Sequence, residues 1–224
     1  MRATLEELRE KIGTIRPDCG TFVTNSPLDR LLPEGRFRRG SLVQWNGGST
    51  LALLTAKAAL RDSGVIVIVD AGHRFYPPAA ARLGIDLARV VIARPDCVDR
   101  NCADQDWMTH QALCCPAVDA VLCWPERVNS GLCRRWQLAA EKGGSVGMLI
   151  GPAAKQRGTG WAELQFAVTG VDDGGGRRQR VEILKGRTTG RWIEINSGMK
   201  ESKEGKIHDR LHLVSQLADS AAVS

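Results

Sequence analysis

Five short apolar runs recur along this chain: SLVQW (41–45), VIVIVD (65–70), RVVIA (89–93), DAVLCW (119–124) and SVGMLIG (145–151). Strands apolar at nearly every position are covered on both faces, and strands separated by crossover helices run parallel. The chain is therefore expected to be α/β, a three-layer sandwich with a mainly parallel central sheet and helices on both faces. The helices between the runs read as TLALLTAKAALRDSG (50–64), PPAAARLG (77–84), ADQDWMTHQALC (103–114) and NSGLCRRWQLAAEKGG (129–144). The last has an Asn/Ser start and a glycine stop. Beyond Gly151 the pattern alternates, in ELQFAVTG, QRVEILKG and RWIEIN, with DDGGGRR and GRTTG between them. That alternation predicts a C-terminal antiparallel hairpin or meander that finishes the sheet.

Outside this core the periodicity is helical. Leu5, Leu8 and Ile12 predict a short amphipathic helix over residues 1–16, and the core domain spans 17–199. Within the core, SPLDRLLPEG (26–35) has a serine cap, Pro27 at the first helical position, and a stop at Pro33 and Gly35. Residues 200–224 form a charged tail, flexible or folded as one helix in which Ile207, Leu211, Val214 and Leu217 share a face. No run of eighteen apolar residues occurs and the opening stretch is charged, so a cytoplasmic protein without a membrane span is expected. The seven cysteines are odd in number and several lie in apolar surroundings, which predicts free, mainly buried thiols. A net charge of +6 fits an anionic partner such as nucleic acid, and equally a soluble protein that has none.

The stretch from Gly40 to His73 reads as strand, glycine turn, helix, strand, which is the setting of a phosphate-binding loop. Such a loop curls several backbone N–H groups around the phosphates and supplies a lysine and a Mg²⁺-binding hydroxyl. Here Asn46, Gly47, Gly48, Ser49 and Thr50 make a turn of about four residues with no lysine before Ser49. Lys57 lies two helical turns further on, roughly 10 Å from the helix start at 1.5 Å per residue. The turn thus reads as structural, although a free helix N-terminus at Gly48, Ser49 and Thr50 still attracts anions. The strand expected to end in a metal-binding aspartate ends instead in Trp124 and Pro125. Two separate losses make this a degenerate nucleotide site, with no catalytic residue, cofactor or metal expected.

The segments TFVTNSPLDRLLPEGRFRRGSLVQW, STLALL and VIVIVDAGHRFYPPAAARLGIDLARVVIARP follow one another as in RecA-type recombinases, which the chain resembles over about residues 1–196 with a gap at the phosphate loop. Within that superfamily, ADQDWMTHQALCCPAVDAVLCW, RRWQLAAEKGGSVGMLIGP and KGRTTGRWIEI are similar to the ImuA group, RecA-like accessory proteins of SOS-induced translesion mutagenesis that are often labelled SulA-like. The resemblance implies a RecA-like fold and a non-catalytic adaptor whose partners are an ImuB-type polymerase-related protein and RecA. Asp70, Gly72 and His73 match the recombinases' acidic strand end, with Gly72 replacing the acidic residue. Asp104 falls near their catalytic glutamate after a longer loop, and Pro152 stands where they sense the γ-phosphate. Two alternatives stay open: a SulA-type inhibitor binding the tubulin-like division protein, and a residual ATPase using Asp70, Asp104 and Lys57.

Basic residues cluster on the expected hairpin at Arg177, Arg178, Arg180, Lys185, Arg187 and Arg191, with Lys155 and Arg157 nearby and Trp161 and Trp192 as stacking aromatics. They are expected either to contact DNA or a partner, or to be solvated strand edges. Arg36, Arg38 and Arg39 form a second basic group before the first core strand. Cys97, Cys102, His110, Cys114 and Cys115 lack zinc spacing. His73 reads as a strand-end hydrogen-bonder, and Trp107, Trp124 and Trp136 as core or interface aromatics.

Overall fold

The structure is a computed structural model that describes residues 19–95, 103–152, 162–172 and 177–196. The predicted N-terminal helix and C-terminal tail lie outside the described residues. Two-residue strands β1 (Thr21–Phe22) and β2 (Phe37–Arg38) pair antiparallel in a small sheet of their own. The main sheet has eight strands: β3 (Ser41–Asn46), β4 (Val65–Val69), β5 (Val90–Ala93), β6 (Val118–Cys123), β7 (Val146–Gly151), β8 (Leu164–Asp172), β9 (Arg177–Lys185) and β10 (Trp192–Asn196). Their order across the sheet is β10-β9-β8-β3-β7-β6-β4-β5. From β8 to β5 all pairings are parallel, while β8, β9 and β10 form an antiparallel wing. The expected hairpin is therefore a three-stranded meander whose first strand also extends the parallel sheet.

The crossover helices are α1 (Ser49–Ala59), α2 (Pro77–Arg82), α3 (Ala103–Cys114) and α4 (Ser130–Gly143). Asn129 caps α4 by accepting from the Leu132 N–H at 2.8 Å, and Gly144 ends it in a left-handed conformation at φ 69°. Two apolar clusters show that the sheet is covered on both faces. One is built from Val43, Trp45, Met148, Phe166, Ile183 and Ile193 against α1, the other from Leu42, Val121 and Leu149 against α3 and α4. Trp45 and Phe166 stack at 4.6 Å between ring centroids, joining the parallel core to the wing.

The stretch after Ser26, read as one or two helical turns, forms two short 3₁₀ turns, Pro27–Leu31 and Pro33–Gly35. Ser26 accepts from the Leu28 N–H at 3.3 Å, so the predicted cap forms, but Pro33 stops the segment before α-helical bonds accumulate. The Thr188 hydroxyl donates to the Leu31 carbonyl at 2.6 Å and ties this turn to the loop between β9 and β10.

Candidate functional site

Only Gly47 and Gly48 separate β3 from α1, so the turn is shorter than the four residues expected. The reason is sheet pairing: Asn46 continues β3 opposite Gly151, and the Gly47 N–H donates to the Gly151 carbonyl at 3.0 Å. Both glycines have positive φ, 81° and 69°, a region other residues enter at a cost. The Gly48 carbonyl accepts from the Leu51 and Ala52 N–H groups and starts the helix. Val168 of β8 fills the space beside it: a Cβ on Gly48 would sit 2.6 Å from its Cγ2. One N–H of the turn is thus held in the sheet and one flank is closed by a side chain. Ser49 and Thr50 are exposed at the helix start.

The other nucleotide-site positions are engaged elsewhere. The Lys57 ammonium donates to the Leu83 carbonyl at 3.0 Å, near the end of α2. Asp70 is fully buried and accepts from the Arg74 and Phe75 N–H groups at 2.7 and 3.1 Å, holding the turn in which His73 adopts φ 51°. The strand-end hydrogen-bonder is therefore Asp70, and His73 is an exposed turn residue. Asp104 is exposed in the first turn of α3. Trp124, half-buried just past β6, packs against the core, and Pro152 is exposed past β7. Among the described residues no group of three or more His, Cys, Asp or Glu side chains is placed to hold a metal ion.

The wing sorts its basic residues by strand parity. Val181 and Ile183 of β9 enter the core, so Arg178, Arg180 and Glu182 point to the opposite face. Arg180 lies over the Trp192 ring at 3.8 Å from its centroid and sits opposite Glu194 on β10. One face of the Trp192 ring is covered by that guanidinium, which is not the open stacking platform the sequence suggested. Arg178 and Arg187 are exposed and Arg191 is half-buried. Arg177 opens β9, and partial burial lowers the Lys185 pKa. Lys155, Arg157 and Trp161 lie outside the described residues.

Sequence reasoning missed the buried ion cluster at the N-terminal ends of the interior strands β3 and β6. Arg39, read as a loop cation, is 9 % exposed. It lies over Phe22, donates to the Ala59 carbonyl at 2.6 Å and approaches Asp119 at 3.5 Å. Arg61 binds the same carboxylate through Nε and through its backbone N–H. Burial lowers the Arg39 pKa, and the Asp119 charge opposes that shift. The signal available in the sequence was a lone aspartate inside the apolar run VDAVLC. A carboxylate there needs a buried partner.

Cys123 and Cys133 are buried as expected, whereas Cys115 is exposed and Cys19 and Cys114 are intermediate. Burial pushes the Cys123 thiol up to about 12, so it stays protonated through the neutral range. In a background with Cys97 and Cys102 replaced by serine, a thiol reagent at neutral pH should modify Cys115 rapidly, and Cys123 and Cys133 only on unfolding. Cys115→Ser should remove the fast phase. Modification of Cys123 in the native protein at a comparable rate would contradict this burial.

A family model described as the MT3502 N-terminal domain matches residues 30–157, more than half of the chain. That span ends just past β7, so the antiparallel wing lies beyond it. Among curated proteins, the RecA protein of Allorhizobium ampelinum is 40% identical over 65 residues, 29% of this chain and 18% of that protein. The RecA protein of Aquifex pyrophilus is 37% identical over 84 residues, 38% of this chain and 22% of that protein. The chain thus spans about a fifth of the length of these curated relatives. Among solved structures, SulA from Pseudomonas aeruginosa superposes with a TM-score of 0.41 at 16% identity, covering 49% of this chain and 98% of that one.

Proposed function

The chain belongs to the MT3502 N-terminal domain family, and from that premise we propose that it is a RecA-like adaptor in DNA damage tolerance that acts by binding and not by turnover. The observation that carries the reading is the two-glycine turn. In a body similar in part to RecA, the place of the phosphate loop holds a Gly47 N–H bonded to Gly151 and a Gly48 flank filled by Val168. The missing lysine and the Trp124 and Pro152 replacements point the same way. By its resemblance to the ImuA group, the partners are an ImuB-type polymerase-related protein and RecA, in the setting of SOS-induced translesion synthesis. The wing supplies the DNA or partner contact through exposed Arg178 and Arg187 and the Arg180 stack.

Capture by the tagged protein tests both parts. The ImuB-type protein and RecA should be retained, and replacing Arg178, Arg180 and Arg187 together by Glu should weaken binding to DNA or to the captured partner at least tenfold. Retention of the tubulin-like division protein alone would replace the adaptor reading with that of a division inhibitor. Unchanged DNA and partner affinities in the triple variant would remove the wing from the account.

A further inference from the structure

Strand β5 ends the main sheet, and its outer edge is apolar. Of the seven large hydrophobic residues exposed among those described, three, Leu87, Val91 and Ile92, stand on β5 or in the 3₁₀ turn that leads into it. Val91 is 52% exposed and Ile92 37%. Edge strands are normally blunted by a charge, a proline or a bulge, and Val90–Ala93 carries none of these. The direction of its backbone groups follows from its pairing with β4. The two strands run parallel with Val91 beside Val67 and Ala93 beside Val69, and the Ala93 carbonyl accepts from the Asp70 N–H at 2.8 Å. The N–H and C=O of a strand residue point to one side, and successive residues alternate. Val91 and Ala93 therefore bond to β4, while Val90 and Ile92 present their N–H and C=O groups outward.

This edge is complementary to itself. We infer that β5 pairs antiparallel with β5 of a second copy of this chain, about a two-fold axis at Val91, so that one sheet runs through both copies. In that register Val90 of each copy faces Ile92 of the other, and the outward groups of both residues are used in four hydrogen bonds. Val91 meets its own equivalent on the α3 side of the sheet, where its neighbour Val67 packs, and Ile92 meets Val90 on the side of α1. The two most exposed strand positions are thereby covered by apolar side chains. The flanks agree in charge, because the register carries exposed Arg94 of each copy toward exposed Asp86 of the other. Such an interface is isologous and closes at two copies, which leaves no apolar edge at β5 for further addition. The inference goes beyond the adaptor reading and rests on β5 alone, independent of the wing and the glycine turn.

Sedimentation velocity of the full-length protein should show a monomer–dimer equilibrium in the micromolar range. Val91→Lys sets two ammonium groups against each other at the axis, and Ile92→Pro removes an outward N–H while leaving the ladder to β4 whole. Each should weaken the dimer at least tenfold, with near-ultraviolet circular dichroism showing the fold retained. Arg178→Glu, on the wing, should leave the dimer unchanged. Cross-linking tests the register without depending on those variants. In a background with Cys97, Cys102 and Cys115 replaced by serine, Val91→Cys should form a covalent dimer under a mild oxidant, because the Cα atoms of such a pair stand about 4.5 Å apart. Ile92→Cys, which faces Val90, should do so much more slowly. A monomer at every concentration up to roughly 200 μM would overturn the inference and leave the edge to another segment of the chain or to an extended peptide. A dimer that survives both Val91→Lys and Ile92→Pro, or one in which Val91→Cys does not cross-link, would overturn it as well.

Discussion

Asp119→Ala should destabilise the protein by about 3–5 kcal/mol, because it leaves the buried Arg39 guanidinium without its counter-charge. The carboxylate side chain is fully inaccessible, and it receives Arg39 Nη1 at 3.5 Å, the Arg61 backbone N–H at 2.6 Å and Arg61 Nε. Gly64 makes the room, since a Cβ there would overlap the Asp119 carboxylate. For a domain of this size the loss corresponds to a fall in Tm of roughly 6–20 °C. Arg61→Ala should cost much less, about 1 kcal/mol, because the Arg61 side chain is 48% exposed and water replaces part of what it loses. Urea midpoints at constant m-value measure both. A loss under about 1 kcal/mol for Asp119→Ala would mean that the cluster is solvated and not a buried network.

Gly48→Ala should be the second severe change, costing about 2–4 kcal/mol from left-handed strain and overpacking together. The backbone there has φ 69°, and the added methyl would stand 2.6 Å from Val168 Cγ2 and 2.9 Å from its Cβ. Val168→Ala should cost stability alone but should relieve part of the Gly48→Ala defect in the double variant. The cycle then gives a coupling of about 1 kcal/mol or more. Strict additivity would mean that Val168 does not close the turn.

The parallel sheet was legible because its strands are continuous apolar runs, and each of the five appears within a residue or two of its expected place. ADQDWMTHQALC became α3 over the same residues, and Asn129 and Gly144 bound α4 as read. The small β1–β2 sheet escaped detection because two-residue strands carry no periodicity. Arg39 and Asp119 were hidden for another reason: they stand 80 residues apart and only the fold brings them together. The candidate site was partly legible. The missing lysine and aspartate were visible as letters, while the closure of the turn depended on Gly151 and Val168, which no local pattern connects to Gly48. Trp107 was placed among core or interface aromatics, and its exposure on α3 assigns it to the surface.

Calorimetric titration of the protein with ATP and a slowly hydrolysed analogue, in the presence of Mg²⁺, decides whether the shortened turn between β3 and α1 still cradles phosphate. With the Gly47 N–H held in the sheet and Val168 against Gly48, no heat of binding and no thermal shift are expected up to millimolar nucleotide. Binding tighter than about 100 μM, roughly 5.5 kcal/mol, would contradict this closure of the turn and return the site to the nucleotide-driven class.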